Sequence, residues 1–78
     1  MAEVGEREWA ERAKRFMKAE LKRRDVTYEA LAERMSELGW SETKASVASK
    51  LSRGGFPASF FLAAMKAIGC PFIRLEDV

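Results

Sequence analysis

Four breaks divide this chain: Asp25-Val26-Thr27, Gly39-Trp40-Ser41, Arg53-Gly54-Gly55-Phe56 and Gly69. Between them apolar residues recur at the spacing of one helix face. Trp9, Ala13, Phe16, Met17 and Leu21 form the first stripe, and Tyr28, Leu31, Ala32, Met35 and Leu38 the second. Val47 with Leu51 and neighbouring Ala48 make a thin third edge, and Phe61, Ala64, Met65 and Ile68 the fourth. A period near 3.6 maintained across short segments with tight turns between them leaves little besides a small helical bundle.

The punctuation places the ends. Neither Gly nor Pro interrupts Glu6 to Arg24, which predicts one long amphipathic helix. Thr27 is the natural N-cap of a helix from Tyr28 to about Leu38, with Val26 packing back over its first turn. Gly39 suits the left-handed position that stops it, Trp40 buries the turn, and Ser41 is expected to cap a third helix whose body is 43–52. Pro57 opens a fourth helix that reaches Ile68 and stops at Gly69. In the tail, Ile73 and Leu75 alternate with Arg74 and Glu76, a pattern that leaves a short strand and a last helical turn both open. The expectation is an all-α fold, four helices with a helix-turn-helix, in a single domain over 1–78.

At 78 residues the core is small, and with 47% hydrophobic and 33% charged residues the chain is that of an ordinary folded globule. Cys70 stands alone and histidine is absent, which removes internal disulfides, zinc fingers and His-based triads. No enzyme activity, metal or cofactor is expected. The apolar run Phe60 to Met65 is too short for a bilayer and the N-terminus is acidic, so a cytoplasmic location is expected, nucleoid-associated if DNA is the partner.

The net charge of +2 hides an uneven layout, an acidic second segment between basic neighbours. The third segment is the most informative. Opposite its thin apolar edge it carries Thr43, Lys44, Ser46, Ser49, Lys50 and Arg53, donors suited to phosphates and base edges, and its one acid, Glu42, lies at the start. A plain surface helix is the competing reading. Lys18, Lys22, Arg23 and Arg24 at the end of the first helix suit the helix dipole and a phosphate backbone equally well.

Thr27, Leu31-Ala32-Glu33-Arg34, Leu38-Gly39-Trp40-Ser41, Ser49-Lys50-Leu51-Ser52-Arg53-Gly54 and Lys66-Ala67-Ile68-Gly69 resemble the repressor-type helix-turn-helix of phage lambda repressor and its XRE relatives. Both helices of the motif are longer here by about three residues, nearly one turn, which keeps the inward face in phase and shifts the docking geometry. The chain also resembles a bacterial family of small uncharacterised proteins that share the Leu-Lys-Arg-Arg, Leu-Ala-Glu-Arg, Ser-Arg-Gly and Phe-Phe-Leu landmarks. The first resemblance implies a transcription regulator that places helix 43–52 in the major groove of duplex DNA. Its base-contacting positions carry over loosely to Thr43, Lys44, Ser46 and Lys50, with Ser49 a further donor on that face, while Arg53 and the first helix's Lys22, Arg23 and Arg24 would grip phosphates. A homodimer is expected too, because Phe60, Leu62, Phe72 and Ile73 are apolar residues left over from the core stripe. The alternative is an adaptor that keeps the fold and docks a protein through Phe60, Phe61 and Phe72.

Overall fold

A computed structural model describes residues 5–78. Four α-helices follow one another, α1 Glu6–Arg23, α2 Tyr28–Glu37, α3 Lys44–Arg53 and α4 Ala58–Ala67, and a 3-10 turn spans Leu75–Asp77. The described residues contain no strand, so the fold is an all-α bundle as expected and the tail ends in a helical turn. α2 packs against both α3 and α4, and α1 against α3. Their shared core is Met17, Leu21, Leu31, Met35, Val47, Leu51, Phe60, Ala64 and Met65, none more than 3% exposed.

Three helices stop in the same way. Val26 N–H donates to the Leu21 carbonyl, Trp40 N–H to Met35 and Cys70 N–H to Met65, while the residue before each donates to the carbonyl three positions back. Each stop turns on one residue of positive φ, Gly39 and Gly69 in α2 and α4 but Asp25, at φ 57°, in α1. These are Schellman closures, in which the apolar residue past the end also lies over the helix's last core side chain. The α3 end differs. Gly54 has φ 72° and ψ −171°, a region open essentially to glycine alone, and a Cβ built there would lie 3.5 Å from the Ala10 carbonyl oxygen on α1.

Several expectations need correction. The N-cap of α3 is Thr43, not Ser41: Ser46 N–H donates to Thr43 Oγ1 at 3.0 Å and Thr43 N–H to Ser46 Oγ at 2.8 Å. This capping box satisfies two backbone donors reciprocally where a lone serine satisfies one. Trp9 is 47% exposed, because what faces the first turns of α1 is the Gly55-Phe56 loop, and a glycine there offers no side chain to cover an indole. Its ring is covered instead by the Arg12 guanidinium, 4.7 Å from the centroid. Leu38, expected in the core, is 45% exposed at the C-cap of α2.

Phe60 and Phe61 exchange the roles the sequence suggested. Phe60 is fully buried and Phe61 only half-buried, so the α4 stripe runs Phe60, Ala64, Met65, Ile68 and differs from the expected one only in its first member. The cause lies outside α4. Trp40 meets Phe60 edge-on at 6.2 Å and Phe56 lies 5.4 Å away, so the turn before α3 and the loop after it close over this ring. Phe61 sits at the margin, between Phe56 at 6.2 Å and Phe16 of α1 at 6.1 Å.

Backbone conformation makes two opposite expectations. An Asp25→Gly variant is expected to gain about 0.5 kcal/mol, because glycine occupies the left-handed position without the Cβ penalty. Gly54→Ala is expected to lose about 1–3 kcal/mol from its forbidden φ/ψ region. Urea unfolding monitored by circular dichroism measures both, and a neutral Gly54→Ala would contradict the second.

Candidate functional site

The outward side of α3 is built from its own helical spacing. At 100° per residue Ala45, Ser49 and Ser52 share one strip opposite Val47 and Leu51, and Arg53 lies at its edge. Ala45, Ser49, Ser52, Arg53 and, at the N-terminal end, Lys44 are all exposed. The centre of this surface is therefore short-chained and neutral, with cations at its two ends. Of the expected contact residues, the structure leaves Lys44, Ser49 and Arg53 facing solvent.

The other three are engaged within the chain. Thr43 and Ser46 form the capping box just described. Lys50 is held by Glu42, whose side chain is 2% exposed, and its ammonium lies 4.8 Å from the centroid of the Phe60 ring. Ser46 Oγ donates to the other Glu42 oxygen at 2.6 Å. A carboxylate buried this deeply needs a cation and further donors, and Lys50 and Ser46 supply them. Glu42, read as a residue placed by the helix dipole, is thus the anchor that fixes the start of α3 against the core.

The end of α1 shows the same economy. Glu20 is buried, and Arg23 Nη2 and Arg24 Nε reach its two oxygens at 3.1 Å each. Arg24 also donates to the Gly69 carbonyl at 3.1 Å, binding the end of α1 to the end of α4. Arg24 is a structural clamp, with little left for a phosphate. Arg23 remains largely exposed beyond its ion pair, and Lys22 is exposed.

The expected dimer face separates in the same manner. Phe60 is fully buried inside its own chain and cannot meet a second copy; Ile73 is half-buried against the core. Leu62 and Phe72 remain, 60% and 75% exposed.

Sequence reasoning passed over a second concentration of charge. Arg12, Arg15 and Arg74, none of them named as site residues, line a cleft with Arg23 and Arg24 between α1 and the tail. Helical spacing puts Arg12, Arg15 and Arg23 on one side of α1, a signal available from the sequence; the arrival of Arg74 depends on the fold of the tail. Among the described residues no group of three or more Cys, Asp or Glu is placed to hold a metal ion, and no helix is long and apolar enough to cross a membrane.

Residues 9–73 fit the family described as a domain of unknown function, DUF6471, and with most of its length matched the chain belongs to that family. No curated protein matches significantly, and neither does any solved structure.

The Glu42–Lys50 pair sets a stability expectation. Lys50→Met strands a buried carboxylate and is expected to cost about 2 kcal/mol, while adding Glu42→Gln to it restores part of the loss. A double-mutant cycle by urea unfolding reads the coupling directly, and strictly additive losses would show that the pair contributes nothing.

Proposed function

We propose that this family member binds duplex DNA, with α3 as the element that enters the major groove. The observation that carries the reading is the outward strip of α3. Ala45, Ser49 and Ser52 are short, so the helix can lie deep in a groove, and Ser49 and Ser52 hydroxyls are there to meet base edges. Lys44 and Arg53 flank that strip and are exposed for the phosphates on either side. α2 supports α3 from behind, with the Thr43 capping box and the Glu42–Lys50 pair holding the start of α3 in place. Transcription regulation is the role that suits such a domain.

Lys22 and Arg23 of α1 add to the positive field and assist at the phosphate backbone. With Phe60 buried, Leu62 and Phe72 are the exposed remnant of the expected dimer contact, with Leu75 beside them in the tail. Two copies on adjacent half-sites would double the base contacts of one short α3. The adaptor reading has less to draw on, since Phe60 is inside the core and Phe61 is half covered.

Fluorescence anisotropy with a random duplex pool tests this between about 50 and 200 mM salt, where removing one phosphate-neutralising cation reduces the slope of log affinity against log salt by about one. The joint variant Lys44→Gln, Arg53→Gln is expected to reduce that slope by about two, and Lys50→Gln to leave it unchanged because Glu42 already neutralises Lys50. Folded protein that shows no salt-sensitive binding to any duplex would refute the proposal.

A further inference from the structure

The cleft between α1 and the tail has a composition that its neighbours do not explain. It is about 740 Å³ in volume and is lined by α1 and residues from Arg24 and 70–77, with nothing from α2, α3 or α4. Five of its lining residues are arginines and none is a lysine, although the chain has eight arginines and six lysines. Against the five stand two carboxylates, Glu20 and Asp77. A face meant only for solubility has no reason to prefer one cation; a face that receives oxyanions does, because the planar guanidinium offers paired N–H donors where an ammonium offers a point charge.

Existing partners leave most of those donors uncommitted. Arg12 uses Nε on Glu8 at 3.0 Å and Arg23 uses Nη2 on Glu20 at 3.1 Å, so other N–H groups of both remain. Arg74 is held to Asp77 by a long 4.0 Å contact with both side chains more than half exposed, a pair that contributes little and is readily exchanged. Arg15 is exposed and makes no ion pair among the described residues. Arg24 is the most committed of the five, through Nε to Glu20 and Nη1 to the Gly69 carbonyl, and forms a fixed wall.

Beside these donors stands Phe72, 75% exposed, on the same cleft. An apolar ring kept in water at the edge of an arginine cluster is suited to stack on a flat aromatic group whose attached charges the arginines hold. We propose that this cleft binds a nucleoside di- or triphosphate, the phosphates held by Arg12, Arg15, Arg23 and Arg74 and the base stacked on Phe72. The site is separate from α3 and shares only Arg23 with the phosphate contacts proposed for the duplex.

Isothermal titration of the full chain with ATP, with inorganic tripolyphosphate and with a short single-stranded oligonucleotide tests the assignment. ATP is expected to bind about tenfold more tightly than tripolyphosphate, the difference that one stacked base supplies. Phe72→Ala is expected to erase that difference and leave tripolyphosphate binding intact. The joint variant Arg15→Gln, Arg74→Gln is expected to weaken both ligands by at least about tenfold while its melting temperature stays unchanged, both side chains being exposed. Failure of ATP to bind, or binding indifferent to the arginine variant, would overturn the proposal; so would an oligonucleotide that binds at this cleft when free ATP does not.

Discussion

With no surface of its own left in water, the Phe60 ring receives Trp40 edge-on from one side, Phe56 from another and the Lys50 ammonium over its face at 4.8 Å. Those three come from the turn before α3, the loop after α3 and α3 itself, so one side chain of α4 sets where the third helix begins, lies and ends. The chain of rings continues through Phe56 to Phe61 and on to Phe16, which ties the same cluster to α1. Tilted and edge-on ring pairs are directional as well as apolar, and this gives a thin helix with only Val47 and Leu51 buried a defined orientation.

Charge is arranged around two buried carboxylates. Glu20 takes Arg23 and Arg24, and Glu42 takes Lys50 and Ser46, which pairs within the chain several of the cations that look most available in the sequence. Half of this was legible. Glu20 stands three and four residues before its two arginines, the spacing at which helical side chains meet. Glu42 and Lys50 are eight apart, with Glu42 outside the helix, and no periodicity argument connects them; the contact exists because the backbone before Thr43 folds Glu42 back beneath α3.

Helix number, order and approximate limits were readable because glycine, proline and threonine mark the breaks and the apolar period is clear in each segment. Which of two adjacent phenylalanines enters the core was not. Phe60 and Phe61 lie 100° apart on α4, and both fit a stripe through Ala64, Met65 and Ile68. The choice is made by aromatic residues in the turn and loop that flank α3. Trp9 failed for a related reason, since its periodicity was correct and the partner it faces is a glycine loop. Within the candidate stretch, what each side chain does inside the fold was not legible: Thr43 and Ser46 serve the cap and Lys50 serves Glu42.

The repeated Schellman stop has a consequence for how the chain reaches this arrangement. Each closure joins residues no more than five positions apart, Leu21 to Val26, Met35 to Trp40 and Met65 to Cys70. Helix length and the direction of the following turn are thus encoded locally, ahead of contact between helices. A chain organised this way searches few arrangements, and its largely local contacts place it among domains that fold in microseconds to milliseconds. The α3 end is the exception: Gly54 N–H closes it on the Lys50 carbonyl without a Schellman bond, and a side chain added at Gly54 would meet the Ala10 carbonyl of α1, so this stop is the one that also borders a distant part of the sequence.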